Sequence, residues 1–392
     1  MKQQARCRIA IVGANFAGLA AAQHLGREFA VTVIDRSLSF EWLPNIHELL
    51  SGAKRPADLR LPLRRLVTRS GHRYIHATVT AIDAAAGRLT TATGRQLEFD
   101  LCIVAVGGVN DTFGVRGADR HAMPFKSVAD CAAIGRKLSA LARRRGRRSV
   151  VIIGGGFEGV EALGEILRRY RGVEGLGITV VEAGPRLVAG TPPAVEAAVR
   201  AHCASNNVRV LTGSPVSAVT PRRVVLRSGE VLRSDLTLWT GGVMAPPLLR
   251  ASGLADRPRQ WAPVDAALRS RRFDNVFVVG DAAALPRPLA KQAYFAQQMG
   301  VCAAGNARRA LAGRALRAFA PSGKPMLIAF GDLDTFLVSG RSVIASPALA
   351  ALKEAVYQVT MAEIDPPLNA PALRELTTRM VTAARRLASS PR

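Results

Sequence analysis

Cysteine is scarce and scattered. The 392 residues hold five, Cys7, Cys102, Cys131, Cys203 and Cys302, with no C-x-x-C and no close pair. That excludes a secreted disulfide scaffold and a zinc or other metal module, and it makes the cytoplasm the default setting. No run of 18 uninterrupted apolar residues occurs, so no helix is expected to span a bilayer. Lysine is also sparse, at seven positions, although Lys plus Arg totals 54 against 29 Asp plus Glu, a net charge of +25. The excess is therefore arginine, and it attracts phosphate groups without choosing among nucleotides, nucleic acid and anionic lipid. No period of 20–50 residues runs through the chain, which removes solenoids. The apolar start behind Lys2 and Arg6 has the look of a secretion signal, but its glycines belong to another motif and cleavage is not expected.

What is present is glycine, 35 residues of it, in a chain 48% hydrophobic and long enough for two or three domains. Three apolar runs end in glycine. Arg8 to Val12 leads into Gly13-Ala14-Asn15-Phe16-Ala17-Gly18 and an Ala-rich helical stretch to about Gly26. Ser149 to Ile153 leads into Gly154-Gly155-Gly156-Phe157-Glu158-Gly159 and a helix through Tyr170, and Asn275 to Val279 ends at Gly280-Asp281. A strand, a glycine-rich turn and a helix make a βαβ unit, so the fold class is α/β with two Rossmann-like, doubly wound domains. Each fingerprint is followed by an acid at the end of the next strand: Asp35, 22 residues after Gly13, and Glu182, 28 after Gly154. Such a carboxylate accepts hydrogen bonds from ribose hydroxyls, while the glycines admit a pyrophosphate to the helix N-terminus. The first fingerprint departs at its middle position, where Asn15 replaces glycine; Asn tolerates a left-handed backbone, which is how the loop is expected to keep its shape.

Between the fingerprints, Arg73 to Asp83, Arg88 to Thr93 and Gln96 to Val106 are expected strands. Arg136 to Arg148 carries seven basic residues and is expected to be a helix end with a solvated connection, an anion-binding surface being the alternative. Near the end, Ser346-Pro347 is a good start for a helix to about Met361. A second helix follows, with Leu373, Leu376, Met380, Ala383 and Leu387 on one stripe and Arg374, Arg379, Arg385 and Arg386 mostly off it. That stripe suits a membrane surface, the chain itself or a second subunit, and the three remain open.

The segments Gly13–Gly18 with Asp35, 99–107, 113–117, 126–130, 154–165, 238–243, 276–284 and 293–298 together resemble the two-dinucleotide-binding-domain flavoproteins, and among them the type II NADH:quinone dehydrogenases. The resemblance is collinear over roughly residues 7 to 340. It implies an FAD domain in two parts (1–113 and 246–320), an NAD(P)H domain inserted between them (114–245), and a small C-terminal segment (321–392). FAD would be held by Gly13, Asn15, Phe16, Ala17, Gly18, Asp35, Arg36, Ala105, Gly107, Gly280 and Asp281. NADH would be held by Gly154, Gly156, Gly159, Glu182 and Gly242, with NADPH disfavoured by the Glu182 charge although Arg186 lies nearby.

In the same resemblance Glu161 occupies the place of a catalytic carboxylate, the alternative being a helix carboxylate paired with Arg168 or Arg169. The family's A-Q-x-A-x-Q element reads Ala293-Tyr294-Phe295-Ala296-Gln297-Gln298 here, with Tyr294 in place of the first Gln. Lys291 precedes it, as in versions similar to sulfide:quinone and ferroptosis-suppressor-type reductases. Lys291 is thus a second catalytic candidate, or a surface lysine, and Pro44, Tyr294, Phe295 and Gln298, with Trp42, are candidates for the acceptor pocket. The cysteine pair of the disulfide reductases has no counterpart, since Phe40-Glu41-Trp42-Leu43-Pro44-Asn45 stands in its place.

The implied activity is hydride transfer from NADH to FAD, then electron transfer to an acceptor, foremost a quinone. A soluble flavin reductase for a metabolite or carrier protein is the first alternative. A non-enzymatic flavoprotein binding nucleic acid, of the apoptosis-inducing-factor kind, ranks last because no nucleic-acid motif is present. A homodimer and peripheral attachment to the inner face of the membrane are compatible with the C-terminal stripe.

Overall fold

The computed structural model of the protein describes residues 6–366. Its longer helices are, in chain order, α1 (Phe16–His24), α2 (Val128–Ala142), α3 (Phe157–Tyr170), α4 (Pro193–Ser205), α5 (Ala293–Leu311) and α6 (Leu349–Ile364). The described residues divide into two units, one of 6–41, Arg60–Asn110 and Val243–Ser322, the other of Trp42–Leu59, Asp111–Gly242 and 323–366.

In the first unit five parallel strands lie in the order Val276–Val278, Leu101–Val104, Arg8–Val12, Ala30–Asp35, Arg73–His76. The central strands are near-continuous runs of Ile and Val because both faces are covered, and Ile9, Ile11, Val33, Ile103 and Val278 are all buried. The second unit repeats this plan: Met123–Pro124, Leu236–Trp239, Arg148–Ile153, Leu176–Val181 and Arg209–Leu211, again all parallel. The repetition extends to single bonds. Gly13 N–H donates to Ile34 C=O at 2.8 Å and Gly154 N–H to Val181 C=O at 2.8 Å, and Asp100 N–H and Asp235 N–H each reach back, to Arg8 C=O and Ser149 C=O, at 2.8 Å. Each unit also carries a three-stranded antiparallel sheet just ahead of the core strand that pairs with its fingerprint strand: Val79–Asp83, Arg88–Thr91 and Gln96–Glu98 before Leu101–Val104, and Val216–Thr220, Arg223–Leu226 and Val231–Arg233 before Leu236–Trp239. The two Rossmann-like domains are therefore built alike, strand for strand.

Two expected strands are each interrupted. The stretch from Arg73 breaks into Arg73–His76 and Val79–Asp83, and that from Gln96 into Gln96–Glu98 and Leu101–Val104, because in each case the chain leaves one sheet and enters another.

The partition of the chain differs from the expected domain bounds in two places. Residues 42–59, expected in the first domain, pack on α2 and α3: a Cβ at Gly135 would lie 2.5 Å from Leu49 O, and buried Ser51 donates to Glu165. Residues 323–366 pack on the same helix α3. Their antiparallel sheet, Met326–Phe330, Asp334–Ser339 and Ser342–Ala345, presses on α3 so closely that a Cβ at Gly164 would lie 2.5 Å from Gly331 N. The helix expected from Ser346 begins at Leu349, with Ser346 Oγ accepting Ala348 N–H at 3.2 Å in the turn before it. The second C-terminal helix, expected around Leu373–Leu387, lies outside the described residues. Among the described residues no helix is long and apolar enough to cross a membrane.

Close helix packing gives a first prediction. In the first unit a Cβ at Gly300 on α5 would stand 2.1 Å from Ala17 O on α1. That atom is backbone and cannot swing aside. Gly300→Val is expected to cost about 1–3 kcal/mol, read as a lower urea midpoint; an unchanged midpoint would contradict the packing described.

Candidate functional site

The two fingerprints place their glycines for three separable reasons. Gly13 (φ +93°) and Gly154 (φ +109°) occupy backbone conformations that side chains disfavour. Gly18 and Gly159 are required by a carbonyl: a Cβ would lie 1.8 Å from Gly13 O in the first loop and 1.9 Å from Gly154 O in the second. Gly156 has an ordinary φ of −73°, and a Cβ there meets nothing within 4 Å. Its requirement is open space at the N-terminus of α3, which is what a pyrophosphate would fill.

Asn15 stands at the matching place before α1, with φ −83°. The expected left-handed conformation is absent, and none is needed, since Gly156 does not adopt it either. The Asn15 amide is drawn aside as Oδ1 accepts Glu41 N–H at 3.2 Å, and it makes no capping bond to α1. The departure from glycine is accommodated by side-chain placement.

Both acids are fixed in the same way. Asp35 accepts Ala14 N–H and Ser37 N–H, each at 2.6 Å; Glu182 accepts Gly155 N–H and Gly184 N–H, each at 2.6 Å. A carboxylate has about four acceptor positions, so each retains capacity for two ribose hydroxyls. Burial raises the Asp35 pKa, against the pull of its two N–H bonds. The residues present therefore fit a dinucleotide in each unit.

Around the first loop, Phe16 and Ala17 are buried, Phe16 meeting Phe40 edge-on with centroids 5.1 Å apart. Ala105 O would lie 2.4 Å from a Cβ on Gly13, and a Cβ on Gly280 (φ +67°) would meet Ala17 at 3.3 Å and Ala296 at 3.6 Å, so these positions converge on one loop. Arg36 is exposed beside Asp35, and a Cβ at Gly107 (φ +63°) meets nothing within 4 Å. The Lys291 ammonium donates to Asp281 C=O and sits 3.4 Å above the Trp261 ring centroid, and partial burial of that tip lowers its pKa. Trp261 had no signal in the sequence beyond being one of three tryptophans.

The acceptor-pocket candidates are drawn from both units. Tyr294 and Phe295 lie together on α5, centroids 4.1 Å apart, while both ends of the Gln298 amide are tied to Ser322, at 3.1 Å and 2.9 Å. Pro44 belongs to the other unit, in the short turn Leu43–Asn45. Trp42 is buried there, its Nε1 donating to Asn45 Oδ1 at 2.7 Å. Gln298 and Trp42 are thus engaged structurally.

In the second unit a Cβ on Gly242 (φ +138°) would lie 2.9 Å from the Phe113 ring, itself exposed. Glu161 pairs with neither expected arginine: Arg168 reaches Glu165, and Arg169 donates to Ser51 C=O. Instead Lys353 Nζ lies 2.6 Å from Glu161 Oε1, which also accepts Ala329 N–H at 3.2 Å, and His47 Nδ1 lies 3.5 Å from Oε2. Lys353 Nζ in turn lies 3.3 Å from His47 Nε2. His47 is fully buried; burial first, then the Lys353 charge, lowers its pKa well below the usual imidazole value, so it is neutral near pH 7. Sequence reasoning missed His47 and Lys353. The available signal was a lysine one turn from Tyr357 on the buried stripe of α6.

All five cysteines are free, and burial pushes the Cys203 thiol up to about 11.

Residues 7–300 match the family model described as pyridine nucleotide-disulphide oxidoreductase. A type II NADH:quinone oxidoreductase of Staphylococcus epidermidis is 27% identical, the match covering 90% of this chain and 94% of that protein. Among solved structures, the sulfide:quinone oxidoreductase of Aquifex aeolicus superposes with a TM-score of 0.82 at 19% identity, covering 95% of each chain. NDH2 of Plasmodium falciparum, solved with NADH, also gives 0.82, at 15% identity, covering 98% of this chain and 99% of that one. At such identities these likenesses establish the fold.

Proposed function

Because the chain belongs to the pyridine nucleotide-disulphide oxidoreductase family, we propose that it is an FAD-dependent NADH dehydrogenase whose electron acceptor is a quinone. The observation that carries this reading is the duplicated loop: two fingerprints, each with its acid clamped by two backbone N–H groups at 2.6 Å. The curated relative named above supports the choice of acceptor. FAD, when bound, supplies the redox chemistry, taking a hydride equivalent from NADH and passing electrons on.

The chain's own residues bind, orient and handle protons. The N-termini of α1 and α3 offer the positive ends of their dipoles to the two pyrophosphates. Asp35 and Glu182 take the ribose hydroxyls, and the Glu182 charge disfavours a 2′-phosphate. Lys291, steadied by Trp261 and the Asp281 carbonyl, supplies a positive charge to a developing anion. Quinone reduction by NADH consumes one proton; the hydrogen-bonded cluster of Lys353, Glu161 and His47 is the acid–base group of the second unit suited to relay it. The reading extends to peripheral attachment at the inner face of a membrane, supported by the apolar stripe and arginines of residues 373–387.

The test is spectroscopic. The purified protein is expected to be yellow, to bleach on anaerobic addition of NADH, and to recover its colour when a soluble quinone is added. Bleaching without recovery would favour the soluble flavin reductase; a protein that neither carries nor takes up FAD would remove the proposal.

A further inference from the structure

The loop that follows the strand Leu176–Val181 closes on the fingerprint at both ends. Glu182 Oε2 accepts Gly155 N–H at 2.6 Å, and Val188 N–H donates to Gly155 C=O at 2.8 Å. Leu187 presses against the same residue, its Cδ2 lying 2.4 Å from where a Gly155 Cβ would be. Arg186 is therefore carried between two anchors of the nucleotide loop. In a dinucleotide-binding unit an arginine so placed is the group that would accept a ribose 2′-phosphate, whereas Glu182 beside it calls for a bare hydroxyl. The two residues give opposite instructions.

The structure shows how Arg186 is occupied. Its Nη2 donates to Thr191 C=O at 2.7 Å, and its Nε lies 3.2 Å from Glu196 Oε2. Glu196, in the first turn of α4, is itself braced: Oε1 accepts Leu187 N–H at 3.1 Å and Arg200 Nε at 2.9 Å. The Arg186 Nε–H, although buried, is not aligned for a hydrogen bond. The hold of Glu196 on it is thus one of charge, which a neutral isostere would remove, leaving the Thr191 carbonyl as the remaining tie.

We propose that Glu196 is a specificity-determining residue, which favours NADH by retaining the Arg186 guanidinium in an internal ion pair where it does not engage a 2′-phosphate. The inference rests on reading the second unit as the pyridine-nucleotide site. Glu196 remains charged near neutrality, since the bonds from Arg200 and Leu187 and the Arg186 charge outweigh the burial that would raise its pKa.

The experiment compares 5′-ADP and 2′,5′-ADP, which differ by the 2′-phosphate alone, by calorimetry on the flavin-loaded protein. In Glu196→Gln the affinity for 2′,5′-ADP relative to 5′-ADP is expected to rise about tenfold, the scale of one new charge-assisted contact. Adding Arg186→Ala to that variant is expected to abolish the gain, which separates Arg186 from Arg200, also released by the change. The ratio of kcat/KM for NADPH to that for NADH should move in parallel. A folded Glu196→Gln protein with an unchanged ratio of affinities overturns the proposal. Arg186→Ala alone provides the check that needs no Glu196 variant: it should leave 2′,5′-ADP binding as it was, and a loss there would mean that Arg186 already reaches the phosphate. If the unaltered protein binds neither ligand, the assignment of the second unit falls, and the Glu196 inference with it.

Discussion

A Gly18→Val protein is expected to be purified without colour, while still binding 5′-ADP through its second unit. The Cβ would lie 1.8 Å from Gly13 O and 2.8 Å from Gly13 C, with Ala105 Cβ at 3.2 Å behind them. None of these is the end of a flexible side chain, so α1 must move off the loop. That displacement costs about 1–3 kcal/mol of packing and withdraws the helix N-terminus from the phosphate position. Gly159→Val should do the reverse, keeping the yellow flavin and losing the pyridine nucleotide, because its Cβ would lie 1.9 Å from Gly154 O in the other loop. Gly156→Ala separates binding from folding. With nothing within 4 Å of its Cβ, it should melt like the unaltered protein yet bind NADH more weakly. The measurements are the flavin-to-protein absorbance ratio, calorimetry with 5′-ADP, and thermal unfolding. Stoichiometric flavin in Gly18→Val would sink the assignment of the first loop.

These glycines show which parts of the site the sequence exposes. A fingerprint is local: Gly13, Gly18 and Asp35 lie within one βαβ unit, so spacing alone places the acid against the loop, as the Asp35 bond to Ala14 N–H illustrates. The α/β class follows from the same short-range pattern. What spacing conceals is long-range. His47, Glu161 and Lys353 meet from a turn, a helix and a C-terminal helix more than 100 residues apart, and no periodicity announces such an encounter. For the same reason residues 42–59 were expected with the chain around them, when their apolar and polar anchors, Leu49 and Ser51, are seated on α2 and α3. Asn15 misled in another way. Its type suggested a special backbone, whereas its φ of −83° is ordinary and its amide is taken up by Glu41 N–H. Gln298 matched a motif for a pocket, and no motif shows that both ends of its amide are bonded to Ser322. A motif names residues that can serve a site, and only the surrounding contacts decide which of them are at liberty to do so.

Lys353→Ala is expected to destabilise the second unit by about 3–5 kcal/mol, and by less as the solution is made acidic. The Lys353 and Glu161 side chains are only 10% and 15% exposed, so removing the ammonium leaves a carboxylate that water cannot adequately solvate. Glu161→Gln combined with Lys353→Met should recover most of the loss, because Gln keeps an acceptor for Ala329 N–H and no buried charge remains. The pH dependence follows from His47, faced by Glu161, Lys353 and Glu48 at 3.5, 3.3 and 3.9 Å. In the unaltered protein its pKa is lowered by burial and by Lys353. Below about pH 6.5 the unfolded chain therefore takes up a proton that the folded chain refuses, and stability falls with acid. In Lys353→Ala the imidazole no longer faces an ammonium and does face an unpaired carboxylate. It then accepts a proton in the folded state and replaces the missing cation. Asp35 and Glu165, whose pKa values burial raises, act in the opposite direction but equally in both proteins, and cancel in the difference. Urea unfolding of the two proteins at a series of pH values around that of free imidazole should show curves that converge toward acid. A gap that stays constant would mean that Lys353 contributes by packing alone and that His47 and Glu161 do not share a proton.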